Sequence, residues 1–146
     1  IEEIDFGEFM TTALALMRQD LENRKIVLRN DLKFSGSIRL DPEKMLRVFY
    51  NITGNAIDAM PDGGVLAIKT ARQDGSLLLE FTDVGKGIPP EIIAKIFEPF
   101  VTYGKSHGTG LGMAIVKKII DDHRGTITIE SRLGIGTTVR VLLPVA

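Results

Sequence analysis

Apolar residues recur every three to four positions in several stretches of the chain, which is the period of an amphipathic helix. Asp41 and Pro42 are a favourable N-cap and first helical residue for one of these stretches, and Gly125 is a typical residue to end another. On this basis four helices are predicted, over residues 7–23, 42–60, 90–96 and 110–123.

In other stretches apolar residues alternate with polar ones, which is the pattern of strands that bury one face. Asp74 and Gly75 lie between two such stretches and predict a tight hairpin. Five strands are predicted, over residues 25–32, 65–72, 77–82, 126–131 and 137–144. This order of helices and strands predicts an α/β domain with a mixed sheet and helices packed on one of its faces.

Length and composition narrow the class of protein. The chain has 146 residues, of which 44% are apolar and 25% charged, as expected for one soluble globular domain. A net charge of −1 predicts no nucleic-acid partner and no direct contact of this domain with a membrane. Because there is no cysteine, disulfides, thiolate metal sites and cysteine nucleophiles are excluded. Since the sequence begins with Ile1, we expect residues 1–146 to be a single domain of a longer protein.

The helix over residues 42–60 is apolar on most sides, which predicts that it is largely buried. Asn51, Asn55 and Asp58 interrupt this pattern and share one stripe of the helix. Buried amides and carboxylates cost free energy unless they have partners. Two interpretations remain open: a structural network with neighbouring backbone, or a magnesium or ligand site, because oxygen ligands suit that hard cation.

Asp83 lies directly after the strand over residues 77–82 and has the parity of its apolar residues, which predicts an inward-pointing carboxylate. Gly85 and Gly87 follow, and glycine permits positive φ and the close approach of a flat ligand to the backbone. A carboxylate beside such a gap suits an exocyclic amino group such as that of adenine. The alternative is a turn in which the aspartate acts only as a cap.

Glycines at positions 108, 110 and 112 surround the start of the last predicted helix. Exposed N–H groups and the helix dipole favour an anion at such a start, so a phosphate-binding turn is predicted. A glycine-rich turn without a ligand is the alternative. Residues 98–108 lack periodicity and predict a loop that closes over the ligand, anchored by Phe97 and Phe100, with Lys105 near a terminal phosphate. For His123 we expect a favourable helix-end position without a functional role.

Taken in order, these motifs resemble those of the histidine kinase catalytic and ATP-binding domain. Residues 51–60 resemble its N box, 83–87 its first glycine box, 96–100 its F box, 108–113 its second glycine box and 134–138 its closing glycine–threonine turn. The resemblance extends over essentially the whole chain, and the short loop is similar to that of the nitrogen-regulation type of two-component sensor kinase. The wider superfamily contains gyrases, heat-shock chaperones and mismatch-repair MutL proteins.

The resemblance implies the Bergerat fold, a two-layer α/β sandwich, with ATP and Mg²⁺ as cofactors. It implies that Asn55 is the Mg²⁺ ligand, with Asn51 as a further candidate. It also implies that Asp83 receives the adenine amino group, helped through water by a threonine of the closing turn. The implied catalytic residues are Asn51, Asn55 and Lys105. The implied nucleotide-binding residues are Asn51, Asn55, Asp58, Asp83, Gly85, Gly87, Ile88, Phe97, Lys105, Gly108, Thr109, Gly110, Leu111, Gly112, Thr137 and Thr138.

The resemblance further implies transfer of the ATP γ-phosphate to a histidine on a separate helical hairpin, and later relay to an aspartate of a response regulator. The hairpin is expected elsewhere in a longer, homodimeric sensor kinase whose catalytic domain is cytoplasmic, with anchoring at the inner membrane left open. The superfamily ATPases have a glutamate base where this chain has Asn51. An amide cannot take a proton, so slow hydrolysis of ATP is expected.

Two other functions share parts of this pattern. An anti-sigma-factor serine kinase would use the same ATP site without a helical hairpin, and a degenerate module would have lost ATP binding. The sequence of residues 97–100 and the long first helix favour the histidine kinase. The complete set of motifs argues against a degenerate module.

Overall fold

A computed structural model of the protein describes residues 1–101 and 112–145. In chain order, the elements are β1 (Glu2–Asp5), α1 (Phe6–Asn23), β2 (Ile26–Leu32), β3 (Ser37–Leu40), α2 (Pro42–Ala59), β4 (Gly64–Gln73), β5 (Ser76–Asp83), α3 (Pro90–Ile93), α4 (Gly112–Asp122), β6 (Thr126–Arg132) and β7 (Gly136–Pro144).

Most predicted elements are confirmed to within one or two residues. The main difference is the predicted helix over residues 90–96, because regular helix ends at Ile93 and turns follow to Phe100. The predicted start of the last helix at Gly110 lies outside the described residues.

The main sheet is mixed, as predicted. Its five strands lie in the order β2-β4-β5-β7-β6, with β2 and β4 parallel and the other neighbours antiparallel. Strand residues of one parity are buried on the inner face, whereas the other face is more polar. There Arg140 donates hydrogen bonds of 2.8 Å to both Glu80 and Glu130 on the flanking strands. The arrangement is a two-layer α/β sandwich with the helices on one face.

Aromatic and aliphatic residues of α1 and α2 form the core together with the inner face of the sheet. Phe49 of α2 meets Phe81 of β5 edge to face, with the ring centroids 5.2 Å apart. Since α2 packs directly over β5 in this way, the polar residues on the next turns of α2 lie near the end of β5, where Asp83 is found.

The small sheet of β1 and β3 was not predicted. The two strands pair antiparallel, with Ile4 opposite Ile38. Each has only four residues, and β1 is mostly acidic, so neither shows a clear alternating pattern. Asp5 ends β1 and caps α1, since its side chain accepts a 3.0 Å hydrogen bond from the Glu8 N–H.

Two turns test the expectations for the glycine positions. The hairpin between β4 and β5 is confirmed: Asp74 and Gly75 have φ values of 49° and 78°, as a type I′ turn requires. At the end of α4, however, it is Arg124 and not Gly125 that has positive φ, at 59°. Gly125 is needed for a different reason, because a Cβ there would lie 2.5 Å from the Leu142 carbonyl oxygen.

His123 connects the end of α4 to the start of α2. Its Nε2 accepts a 3.0 Å hydrogen bond from the Asp41 N–H, and its Nδ1 lies 2.7 Å from the Ile119 carbonyl oxygen. Both contacts together require the neutral imidazole with its proton on Nδ1. His123 therefore has a structural role, although its position in the sequence predicted only a favourable helix end.

Candidate functional site

The polar stripe of α2 lies at the edge of the helix layer rather than in its interior. Asn51 and Asn55 are half-buried, and Asp58 is exposed. Neighbouring Tyr50 is 43% exposed, so the prediction that α2 is largely buried is wrong for this side. The reason is that α2 covers the sheet with its opposite side. The two amides therefore lie on the side of α2 that faces away from the sheet.

Asn51 also brings α4 to this stripe. Its Nδ2 lies 3.4 Å from the Gly112 carbonyl oxygen and donates a long hydrogen bond to it. Gly112 is the first described residue of α4, and the N–H groups in the first turn of a helix have no partner within the helix. The positive end of α4 thus lies next to the amides of α2, and such a helix start attracts anions.

Five residues predicted to bind nucleotide lie outside the described residues, and so does most of the predicted loop over residues 98–108. These five are Lys105, Gly108, Thr109, Gly110 and Leu111.

The two residues predicted to anchor the near end of the loop have different environments in the structure. Phe97 is partly buried and packs against the core, as does Ile88. Phe100 is 76% exposed and has a φ of 67°, so its prediction as an anchor is wrong. The turns after α3 direct it towards solvent.

Asp83 points inward, as predicted, and is 8% exposed. Its Oδ1 accepts a 2.8 Å hydrogen bond from the Gly85 N–H. Burial raises the pKa of the Asp83 carboxyl, while hydrogen bonding from the backbone of Gly85 and Thr137 acts in the opposite direction. A carboxylate has about four lone-pair positions, so these contacts leave Asp83 able to accept from a ligand N–H.

The strand register separates the two candidate threonines. Thr137 lies directly opposite Asp83 and is 8% exposed on the same inner face. Thr138 lies opposite Thr82 on the other face, where the two hydroxyl oxygens are 3.2 Å apart. The structure therefore brings Thr137, and not Thr138, to the same side of the sheet as Asp83.

The glycines after Asp83 are required by contacts within the protein. A Cβ on Gly85 would lie 2.5 Å from the Ala59 carbonyl oxygen, at the end of α2. Gly87 has a φ of 74°, and a Cβ there would lie 2.1 Å from the Arg132 carbonyl oxygen. The loop between them is fixed by two hydrogen bonds, from the Lys86 N–H to Ala59 and from the Gly134 N–H to Lys86. It is thus clamped between α2 and the β6–β7 turn.

The side chains at the α2 stripe fit a hard cation held together with phosphates. Within the described ranges, no three His, Asp or Glu side chains are close enough to bind a metal ion by themselves. The stripe instead offers amide oxygens, and because the Asn51 Nδ2 is engaged by Gly112, its Oδ1 is the atom left for a ligand. Such a site would need further oxygens from phosphate or water, which Mg²⁺ commonly retains.

Comparison with known proteins identifies the family. A profile described as "Histidine kinase-, DNA gyrase B-, and HSP90-like ATPase" matches residues 40–146. The chain belongs to this ATPase family. The match includes the amide stripe of α2, the Asp83 loop and β7, so the candidate site lies within the matched ATPase domain.

Similar proteins are sensor kinases. The sensor histidine kinase ZraS of Escherichia coli (strain K12) is 35% identical over 148 residues, which cover 99% of this chain and 31% of ZraS. The solved mycobacterial sensor histidine kinase MprB superposes with a TM-score of 0.87 at 26% identity, covering 98% of this chain and 97% of that one. Histidine kinase ThkA, solved in complex with the response regulator protein TrrA, superposes with a TM-score of 0.83 at 25% identity, covering 99% of this chain and 41% of that one.

The chain thus spans about a third or less of the length of the curated relatives it matches. In the part of the chain that the structure describes, no helix combines the length and the hydropathy needed to cross a bilayer.

Proposed function

We propose that the chain is the ATP-binding catalytic domain of a sensor histidine kinase. The observation that carries this proposal is the convergence of three features at one end of the sheet: the buried carboxylate of Asp83, the amides of α2 and the N-terminal end of α4. One feature suits a base with an amino group, and the other two suit phosphates with a cation. Similarity to sensor kinases over nearly the whole chain supports the same function.

Each half of the nucleotide has its own residues in this proposal. Asp83 accepts from the adenine amino group, with Thr137 beside it, and Asn55 binds Mg²⁺ with Asn51 adjacent. Asp58 lies one turn beyond Asn55 on the same stripe. The remaining contacts are assigned to Gly85, Gly87, Ile88 and Phe97 around the base, and to Lys105, Gly108, Thr109, Gly110, Leu111 and Gly112 around the phosphates.

The residues at the phosphate end favour transfer to a side chain over hydrolysis. In the proposed reaction an imidazole nitrogen forms a bond to the γ-phosphorus, the bond to the β-phosphate oxygen breaks, and ADP leaves while the imidazole proton passes to solvent. When bound, Mg²⁺ would neutralise phosphate charge. Asn51 and Asn55 orient the phosphates but cannot take a proton from water. The acceptor of the γ-phosphoryl group is therefore decided by which group is positioned next to it, and not by a base that activates water.

The acceptor and the later partner lie outside this chain in our proposal. The acceptor histidine belongs to a dimerising helical hairpin of the full-length protein, a homodimeric kinase whose catalytic domain is cytoplasmic. The phosphoryl group then passes to an aspartate of a response regulator. The histidine kinase ThkA, which is similar to this chain, has been solved in complex with the response regulator protein TrrA, and this supports such a partner.

Labelled ATP tests the proposed function. With γ-labelled ATP and Mg²⁺, the chain alone is expected to stay unlabelled and to release phosphate slowly. His123 is no acceptor, because both of its ring nitrogens are engaged by the backbone. Addition of the separately produced hairpin is expected to label that hairpin on histidine, in an acid-labile and base-stable bond. Stable labelling of serine or threonine on a partner would favour the anti-sigma-factor kinase, and rapid hydrolysis by the chain alone would contradict the role of Asn51.

Nucleotide affinity is expected to depend on pH through Asp83. Because burial raises the pKa of this carboxyl, affinity for adenosine should fall as pH is lowered through that raised pKa, at a higher pH than for an ordinary aspartate. The raised pKa has the opposite effect on the stability of the free domain. Asp83 contributes to the free energy of unfolding at pH values below 3.8, and this contribution is lost as the pH rises from 3.8 through the raised pKa. Calorimetric titration across pH, with Asp83→Asn as the control, measures the effect. Equal pH profiles for both proteins would contradict it.

A further inference from the structure

Ser131 lies at the centre of a hydrogen-bond network that includes Thr137, the residue opposite Asp83. It stands near the end of β6, and its Oγ accepts a 2.8 Å hydrogen bond from the Ile88 N–H. The same oxygen lies 3.1 Å from the Gly136 carbonyl oxygen and 2.8 Å from the Thr137 Oγ1. Ser131 therefore joins the loop after Asp83 to the threonine opposite Asp83.

The number of protons in this network fixes the orientation of the Thr137 hydroxyl. A serine hydroxyl has one proton and two acceptor positions. The Gly136 carbonyl can only accept, so the Ser131 proton goes to it. One acceptor position of Ser131 takes the Ile88 N–H, and the other is left for the Thr137 proton. All three hydrogen-bonding positions of Ser131 are then used.

Thr137 consequently presents only lone pairs to the space beside Asp83. The carboxylate of Asp83 is also an acceptor, so the proposed adenine site has two acceptors on neighbouring strands. A water molecule between them would donate both of its protons to them and would in turn present lone pairs to a bound base. In either case the proposed adenine site matches an amino group and repels an oxo group.

We propose that Ser131 is a specificity-determining residue: by holding the proton of Thr137, it makes the site select a 6-amino purine over a 6-oxo purine. It acts through Thr137 and does not touch the base itself. The inference rests on the proposed adenine site, but it concerns which hydrogen-bonding polarity that site displays. Without Ser131, the Thr137 hydroxyl is free to rotate and donate towards an oxo group.

The proposal is tested by comparing Mg²⁺-ADP with Mg²⁺-IDP, which carry an amino and an oxo group at the same ring position. Calorimetry on the chain gives both dissociation constants and their ratio. Ser131→Ala is expected to reduce the preference for ADP about three- to tenfold, a change typical of one net hydrogen bond. Loss of the hydrogen bond to Ile88 should weaken the binding of both nucleotides equally. The ratio of the two dissociation constants therefore reports only the changed hydrogen-bonding polarity at Thr137. Ser131→Thr keeps the hydroxyl and is therefore expected to keep the preference for ADP that Ser131→Ala loses.

A double-mutant cycle separates this role from a purely structural one. Thr137→Val removes the acceptor and is expected to reduce the preference for ADP by itself. In that background, Ser131→Ala should leave the ratio unchanged. If Ser131→Ala is too unstable to titrate, a full preference in Thr137→Val overturns the proposal, and a reduced one supports it.

The outcomes also distinguish this inference from the proposed function. If the unmodified chain binds neither nucleotide, the ATP-site assignment fails and the inference fails with it. If the unmodified chain prefers ADP and Ser131→Ala keeps that preference in full, only the inference is overturned.

Discussion

Asn55→Ala is expected to weaken binding of Mg²⁺-ATP strongly while leaving binding of adenosine nearly unchanged, whereas Asp83→Asn is expected to weaken both. Asn55 lies on the α2 stripe, next to the N-terminal end of α4, where the phosphates are proposed to bind. Asp83 lies at the end of β5, where the base is proposed to bind. A hydrogen bond to a charged group contributes about 1.5–3 kcal/mol, so we expect Asp83→Asn to weaken both ligands about 10- to 150-fold. Asn55→Ala removes a proposed Mg²⁺ ligand, so its loss should be confined to Mg²⁺-ATP.

Calorimetry with Mg²⁺-ATP and with adenosine measures the two effects separately. Gly54→Ala is a matched control on the same helix, because a Cβ at this neighbour of Asn55 would meet no atom of residues 1–101 or 112–145 within 4 Å. Alanine is also the better helix former by roughly 0.5–1 kcal/mol, so this control should be slightly more stable and should bind both ligands normally. Equal losses of ATP and adenosine in both site variants would refute the division of the nucleotide between the two residues.

The sequence predicts features of this fold that depend on neighbouring residues alone. Asp41 and Pro42 start α2 where expected, and Asp74 with Gly75 forms the predicted turn, because caps and turns are decided by a few adjacent residues. The inward direction of Asp83 follows from parity along one strand. The period of a helix in the same way puts the amide stripe on one side of α2, as predicted.

Features decided by contacts between distant segments are not predicted. Asn51 is half-buried because the opposite side of α2 covers the sheet. The hydrogen bond from Asp41 to His123 joins residues 82 positions apart. Ser131 was missed because its importance comes from Ile88 and Thr137, which lie in a separate loop and on another strand. Its parity with Ile127 and Ile129, which puts it on the core face of β6, is the only feature of the sequence that points to it.

The glycines show the same limit most clearly. Gly87 and Gly134 have nearly equal φ values, 74° and 76°, and each belongs to one of the glycine motifs of the chain. A Cβ on Gly87 would lie 2.1 Å from the Arg132 carbonyl oxygen, whereas a Cβ on Gly134 would meet no atom within 4 Å in the part of the chain that the structure describes. The sequence does not distinguish the two positions, because the clash at Gly87 comes from a backbone 45 residues away.

Gly87→Ala is therefore expected to be far more destabilising than Gly134→Ala. Both pay the cost of a left-handed conformation, about 1–2 kcal/mol for a residue with a Cβ. Gly87→Ala must in addition displace the backbone of Arg132, which adds about 1–3 kcal/mol or more, as for other overpacked positions. At about 2–4 °C per kcal/mol for a domain of this size, the expected difference in melting temperature is about 2–12 °C.

Thermal unfolding of both variants, monitored by circular dichroism, measures this difference. Displacement of Arg132 also moves the strand end that contains Ser131, so Gly87→Ala should lose affinity for adenosine even at temperatures where it remains folded. Gly134→Ala, which keeps the hydrogen bond from its N–H to Lys86, should bind adenosine normally. Equal melting temperatures would show that the loop relaxes away from Arg132 at little cost, and the contact with Arg132 would then not explain the glycine at position 87.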